Sequence, residues 1–394
     1  MKRVAIISEY DPFHNGHKYQ TDKVREMGAE GVVSILGGTF SQRGNCHITD
    51  KYFRAKAAVL SGGCDLVLEL PYPYSCSGAE YFAAAGVHIA SKFCDSLAFG
   101  CECDDPQILK EIALFTVSDE YIQMLNKLRN DSPEISSPRL TEIIIKNHLS
   151  DKHAEQSVLP NNILAIEYLR AIYKGGYNLE PIFIKRYGAD HDSKVSQNGI
   201  CSASLLRDKI INDEDWLEFC PNETAEVLRE AKSLGKLGPT LKNAEKAVIY
   251  ALRNVNSEIA DEFAECGGGL GRRIVNTASG AEGLDDIYAK LATKRYTNAR
   301  IRRAVLSMLI GAKESDLRQL PDFTSLLSAN KLGLSIIKKS EFTVISTPSD
   351  IRMLKNERAV ELYVNAERFA SLCYDKCFAE YEMFAKKPFI RFNY

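Results

Sequence analysis

The sequence predicts an α/β protein built on a parallel sheet. Three observations predict it. Short β-rich runs recur through the first hundred residues, each closed by glycine or proline or by a turn. Stretches of 10–16 residues with helical patterning separate them. The residues with the most chemistry fall just after those runs, where ligands of parallel α/β sheets bind.

Taken in order, residues 4–8 read as the first strand. The segment 9–17 is a tight connection marked by Pro12 and Gly16, and 18–27 reads as a helix. A second strand at 31–36 stops at Gly37-Gly38. A helix over 51–61, stopped by Gly62-Gly63, leads to a third strand at 64–70 closed by Pro71. An Ala-rich helix over 78–93 precedes a fourth strand at 95–100. The polar stretch 130–138 reads as a loop, and 161–174 as an amphipathic helix carrying Ile163, Ile166, Leu169 and Ile172. Residues 181–186 are expected to form the last strand of the sheet. Helical patterns dominate from about 208 to 311. The chain turns β-like again over 332–346, at Ser335-Ile336-Ile337 and Thr343-Val344-Ile345, and 356–387 reads as helical.

The 394 residues allow two to three domains at roughly 150 residues each. Lys plus Arg is 50 and Asp plus Glu is 52, a net charge of -2. That balance excludes a histone-like binder and leaves room for a local basic surface. No run approaches the ~18 apolar residues of a membrane helix, so no membrane span is expected. The N-terminal apolar run is short and is interrupted at Glu9, unlike a signal peptide. Eleven scattered cysteines do not form a disulfide framework, and a cytoplasmic location is expected.

The strongest local signal is His14-Asn15-Gly16-His17, set between a strand and a helix. The spacing puts both imidazoles on one side of a helix opening. Backbone N–H groups point the same way, and Gly16 lets a ligand come close. Such an array suits a triphosphate, with His14 and His17 as candidate catalytic donors to the phosphate whose charge grows. Read blandly, they are two surface histidines in a turn, or half of a metal site.

In Ser202-Ala203-Ser204-Leu205-Leu206-Arg207 a serine can cap a helix, and Arg207 one turn on can hold outgoing phosphates. An ordinary cap beside a solvated arginine fits that motif as well. Arg186 ends a strand where a cation can meet phosphate. Glu9 and Asp11 precede the histidines and can orient an imidazole or hold a metal through water, since divalent cations accompany ATP phosphates. Residues 290–303 carry Lys290, Lys294, Arg295, Arg300, Arg302 and Arg303 around Tyr296, with no acidic residue. A basic stripe with an aromatic ring suits an RNA backbone and an unstacked base. Gln42-Arg43 lies in the loop after Gly37-Gly38. Cys101-x-Cys103 and Cys373-x3-Cys377 lack zinc spacing, so no protein metal site is expected. The run Gly267-Gly268-Gly269-Leu270-Gly271 is not a P-loop and reads as a hinge or tight turn.

Residues 9–17 resemble the His-x-Gly-His signature of the nucleotidyltransferase superfamily. Further matches follow in the order seen in bacterial tRNA(Met) cytidine acetate ligases: Ser41-Gln42-Arg43-Gly44, Asp65-Leu66-Val67-Leu68-Glu69-Leu70-Pro71, Ser77-Gly78-Ala79-Glu80-Tyr81-Phe82, Phe99-Gly100, Pro160-Asn161-Asn162-Ile163-Leu164, Glu167-Tyr168-Leu169, Lys294-Arg295-Tyr296-Thr297 and Arg300-Ile301-Arg302-Arg303. The resemblance runs to about residue 310. It implies a Rossmann-like nucleotidyltransferase domain over 1–207, a helical tRNA-binding region over 208–312 and a small C-terminal α/β region over 313–394. It implies ATP as cofactor, with Mg2+, and acetate and elongator tRNA(Met) as partners. An acetyl-adenylate would pass its acetyl group to the exocyclic amine of the wobble cytidine.

Carried over by position, ATP would lie along Ile7, Ser8, Glu9, Tyr10, Asp11, Pro12, Phe13, His14, Asn15, Gly16, His17, Lys18, Tyr19 and Gln20, and against Gly100, Asn161 and Arg186. Ser204 and Arg207 would serve its phosphates. Lys294, Arg295, Arg300, Arg302 and Arg303 would serve RNA. Two departures stand out: Gly44-Asn45-Cys46 replaces the family's Gly-Glu-Pro, and Asp190 in Ala189-Asp190-His191-Asp192 replaces a tyrosine. A small-molecule adenylyltransferase and an inactive RNA-binding relative remain as alternatives.

Overall fold

A computed structural model of the protein describes residues 2–132, 135–185, 200–293, 295–378 and 388–392. Five strands, β1 (Arg3–Ser8), β2 (Gly31–Gly37), β3 (Leu66–Leu70), β4 (Ser96–Cys101) and β5 (Glu180–Lys185), run parallel. Their order is β5-β4-β1-β2-β3. Three helices supply the first crossovers: α1 (Asn15–Glu26), α2 (Lys51–Leu60) and α3 (Ala79–Ser91).

The strand order reverses beside β1, which makes the crevice at its carboxyl end the natural ligand site. Alternation along the strands sorts side chains onto two faces. Val4, Ile6, Val32 and Leu36 enter one core with Phe13, Val24 and Phe53. Ala5, Val33 and Ile35 enter the other with Phe82 and Leu97. All residues of β2 and β3 are buried, as expected of strands covered on both sides.

The last 80 residues differ from expectation. The strand over 181–186 is not the last, because β6 (Phe323–Asn330) joins β3 antiparallel on its open edge. β7 (Thr343–Ile345) and β8 (Phe389–Arg391) pair with β6 in parallel. The C-terminal part therefore extends the first sheet, and it covers an edge that would otherwise expose unpaired backbone groups.

Ser335-Ile336-Ile337 is helical, inside Lys331–Ile337. The Asn330 side chain caps that helix by accepting from Gly333 N at 3.0 Å. Gly333 packs so closely that a Cβ would sit 2.0 Å from Asp65 O. Apolar Leu334 and Ile337 lie at helical spacing, which a short β-rich run disguises.

Between the sheet and this C-terminal part the chain is helical, from Ala203–Ile211 to Asn298–Ile310. The glycine run is a tight turn, with Gly268 and Gly269 at φ 76° and 85°. Among the described residues no helix is long and apolar enough to cross a membrane.

Candidate active site

β1 delivers the chain to the crevice, and the next nine residues build a rigid platform. Tyr10 and Phe13 are buried, with ring centroids 4.9 Å apart. The His17 ring rests on both, at 4.9 Å from Tyr10 and 5.8 Å from Phe13. His14 lies against His17 with centroids 3.9 Å apart and planes tilted by 30°. His14 is the N-cap of α1, and its Nδ1 accepts from Gly16 N at 3.0 Å. His17 Nδ1 accepts from His14 N at 3.3 Å. With Nδ1 used as acceptor, each neutral ring carries its proton on Nε2. Both imidazoles are thereby set as donors at a helix start that has no acidic residue in its first turn. A Cβ on Gly16 would lie 2.8 Å from His14 Cε1, so the glycine keeps that ring in place.

The other residues of this segment divide between support and surface. Ser8 shares a 2.8 Å hydroxyl contact with Ser34, and Ile7 packs against Gly86 of α3. Pro12 is buried in the turn. Asn15 donates to Glu218 O at 2.8 Å. Lys18 pairs with Asp22, Tyr19 lies under Lys23, and Gln20 is partly buried.

The fold brings the second motif to the first. Ser202 caps the helix Ala203–Ile211 by accepting from Leu205 N. Arg207 reaches back to donate to Asp11 O at 2.9 Å and lies 3.3 Å from Asp11 Oδ2. It also donates to Ser204 Oγ at 3.2 Å.

Gly100 lies in β4, paired with Ile184, and the residue just past that strand, Glu102, meets the start of the helix Pro160–Gly175. Asn161 donates to Glu102, and Glu102 N donates to Asn162 Oδ1 at 2.9 Å. Arg186, Lys294 and Asp190 lie outside the described residues.

Asp11 is held well below the usual carboxylate range. Burial works the other way, but His47, Arg207 and Arg54 outweigh it. Its Oδ1 accepts from Ile48 N at 2.6 Å, and Oδ2 faces His47 and Arg207. A carboxylate so surrounded by cations does not suit a Mg2+ ligand. Glu9 is also engaged, accepting from Gln42 N at 2.7 Å.

The basic helix Asn298–Ile310 is capped by Thr297, and its arginines are not alike. Arg303 contradicts the expected lack of acidic partners. It is buried, 3.0 Å from Glu265 Oε1, and donates to Gln42 O at 3.1 Å. Arg300 donates to Glu265 O and Gly267 O. Lys290 pairs with Asp286 at 2.7 Å. Tyr296 is buried and donates to Gly268 O at 2.6 Å, so it is a packing ring and not an open stacking platform. Arg295 is exposed, and Arg302 is partly exposed where it packs on Gly44.

A family model described as HIGH Nucleotidyl Transferase matches residues 1–383. The tRNA(Met) cytidine acetate ligase of Caldicellulosiruptor saccharolyticus is 31% identical over 385 residues, 95% of this chain and 94% of its own. That of Bacillus subtilis is 31% identical over 388 residues, 94% and 92% of the two chains. This chain belongs to the tRNA(Met) cytidine acetate ligase family. The fold agrees. The crystal structure of Thermotoga maritima TmcAL aligns with TM-score 0.90 over 100% of both chains, at 24% identity. The same protein bound with alpha-thio ATP gives 0.89 at 23% identity.

Within this member of the tRNA(Met) cytidine acetate ligase family, several polar residues carry more than their sequence shows. Arg54 is fully buried and donates to the carbonyls of Glu9, Gly37 and Gly38 at the ends of β1 and β2. Lys51, also buried, bonds Glu69 at 2.6 Å, Tyr363 at 2.9 Å and Glu367 at 3.0 Å. Glu265 accepts from Gly78 N at 2.6 Å while pairing Arg303. His47 stands 3.3 Å from Asp11. The available signal was a charged residue inside an apolar run, as in Leu66-Val67-Leu68-Glu69-Leu70. Such a residue is buried and paired, or it is misplaced.

Proposed function

We propose that this chain is an ATP-dependent ligase that makes N4-acetylcytidine at the wobble position of elongator tRNA(Met), using acetate and an acetyl-adenylate. The observation that carries the chemistry is the pair of Nε2 donors fixed at the start of α1. The acceptor follows from the name shared by relatives 31% identical over most of the chain.

ATP lies along 7–20, with its adenosine side toward Gly100 and Asn161. An acetate oxygen attacks the α-phosphorus, and the bond to the β-phosphate oxygen breaks. His14, His17 and the helix-start N–H groups hold the charge that builds there. Arg207, with Ser204, holds the departing pyrophosphate with a planar fork of donors. The cytidine amine, held beside the adenylate, then attacks its acetyl carbonyl; the C–N bond forms, the carbon–oxygen bond to phosphate breaks, AMP leaves with the electron pair, and the amine proton passes to solvent. Mg2+ would be held by the phosphates of ATP and not by Asp11, and would supply neutralisation of their charge. Arg295 and Arg302 meet the RNA backbone, and Arg300 and Arg303 hold their helix in place. The enzyme works in the cytoplasm, consistent with cysteines that are all free among the described residues.

The test is acetate-dependent exchange of pyrophosphate into ATP, followed by nucleoside analysis of tRNA incubated with labelled acetate. His14→Asn keeps the helix cap and removes the imidazole donor. It is expected to lower exchange ~10²–10³-fold while tRNA affinity holds. Exchange that ignores acetate would overturn the reading.

A further inference from the structure

The turn Gln42-Arg43-Gly44 stands where the basic helix meets the nucleotide crevice. Gly44 N closes it by donating to Ser41 O at 2.8 Å. Gly44 has φ 76° and lies so close to the basic helix that a Cβ would come 2.7 Å from Arg303 N. Arg303 donates to Gln42 O at 3.1 Å. On its other side Gln42 donates twice, from its backbone N to Glu9 Oε1 at 2.7 Å and from Nε2 to Ser77 O at 3.2 Å. A continuous line of contacts thus runs from the helix Asn298–Ile310 to the carboxylate at the end of β1. Glu265 anchors that line from behind, pairing Arg303 at 3.0 Å and accepting from Gly78 N, and it holds a left-handed φ of 66°. A residue other than glycine keeps that conformation only where its surroundings fix it.

Glu9 is only half engaged. Gln42 N takes Oε1, while among the described residues Oε2 makes no hydrogen bond, and the residue is partly exposed. The side chain leans toward β2, since a Cβ on Gly37 would lie 3.6 Å from Glu9 Cγ. That is away from Gly100 and Asn161, toward which the adenosine of ATP is directed. The backbone of Glu9 can lie along ATP, but its carboxylate does not suit the phosphates, because like charges repel. A carboxylate oxygen accepts, so its partner must donate. Of the groups that react, the exocyclic amine of cytosine is such a donor, and a carboxylate accepting from N4 is how side chains read that base. Uracil presents a carbonyl oxygen at the same position, which a carboxylate rejects.

We propose that Glu9 is the residue that specifies cytosine: its Oε2 accepts a hydrogen bond from one N4–H and holds the amine against the acetyl carbonyl. The inference rests on the function proposed above and adds which residue selects the acceptor base. In nucleic-acid recognition, phosphate contacts position and base contacts specify. Arg302, packed on Gly44, meets the backbone, and the turn beside it sets Glu9 for the base. Gln42 and Arg303 are positioning residues, because they act through Glu9.

The experiment uses the whole enzyme and two transcripts of elongator tRNA(Met), with cytidine or uridine at the wobble position, in competition binding. In Glu9→Gln the Gln42 N–H keeps the amide oxygen toward itself, so the amide NH2 faces the base. It then meets the cytosine amine donor against donor, and uracil as donor to acceptor. The wild type is expected to prefer the cytidine transcript by ~10–10²-fold, the worth of one hydrogen bond to a charged group, and Glu9→Gln to lose or invert that preference. Glu9→Ala, which offers the base neither donor nor acceptor, is expected to bind the two transcripts about equally. The preference is a ratio taken within one protein, so partial loss of folded enzyme cancels, and a merely structural residue would not move it. A preference that stays within about twofold of wild type in both variants overturns the assignment, and so does a wild type that binds both transcripts equally. If the preference holds and the KM for ATP in pyrophosphate exchange rises instead, Glu9 serves the ribose of ATP and the assignment fails as well. If the wild type transfers no acetyl group from acetate to cytidine tRNA, the proposed function itself fails, and that outcome is distinct from the others.

Discussion

Asp11 gathers His47, Arg207 and Arg54 around one buried carboxylate. Its ordinary unfolded value is about 3.9, and the folded value lies well below it. A depressed carboxylate contributes stability that is present above the unfolded value and is lost as pH falls toward the folded one. Urea midpoints of the wild type should therefore fall as pH drops below about 4. Asp11→Asn should remove about 3 kcal/mol at neutral pH, since it leaves buried cations unpaired, and should flatten the acid slope. An unchanged slope would show that the ion cluster contributes nothing to folding. At this scale the sequence was legible where spacing carries the meaning. His14, Gly16 and His17 act within one helix opening, so three adjacent positions reveal them. His47 and Arg207 meet Asp11 from far along the chain, and no local pattern reports that meeting.

At the scale of elements, the crevice depends on how α2 grips the sheet. Arg54 holds the ends of β1 and β2 through three carbonyls, and burial presses its pKa downward. α2 is tied on its other side to the helix Asn222–Ser233, through Ser61 and Thr224 at 3.1 Å and Lys56 and Glu230 at 2.5 Å. Arg54→Lys keeps the charge but replaces a planar fork with a single point. Each lost hydrogen bond to a charged donor is worth about 1.5–3 kcal/mol, so a loss of about 3 kcal/mol is expected in thermal melts. The KM for ATP in pyrophosphate exchange should rise as the segment after β1 loosens. Equal KM values in the two proteins would separate Arg54 from the site. The helix itself was legible from its helical patterning and the Gly62-Gly63 stop. Burial of its arginine was not, because a polar residue in an amphipathic helix reads as solvated until the covering helix is known.

Over the whole molecule, the sheet is finished by residues that no early signal announces. β6 lies in a run that mixes serine and threonine with leucine, and its partner β3 lies far earlier in the chain. Antiparallel pairing across that distance leaves no periodic trace. The same region sends Glu367 and Tyr363 into the core, where Lys51 binds them together with Glu69. One lysine thus joins α2, β3 and the C-terminal helix, with two carboxylates against it. Burial raises Glu367, and Lys51 opposes that rise. A raised carboxylate contributes stability at low pH and loses it as pH climbs through its folded value. Lys51→Met removes the opposing cation and leaves two buried acids, so it should cost about 3–5 kcal/mol near neutral pH. The deficit should be smaller at about pH 5, the direction in which the raised Glu367 becomes neutral, and larger at about pH 8. Glu367→Gln placed on Lys51→Met should recover part of the loss, and more of it at the higher pH. Urea unfolding followed by circular dichroism at both pH values reads all three chains. A deficit independent of pH would assign the loss to packing around the lysine stem, and the C-terminal helix would then be held by shape and not by charge.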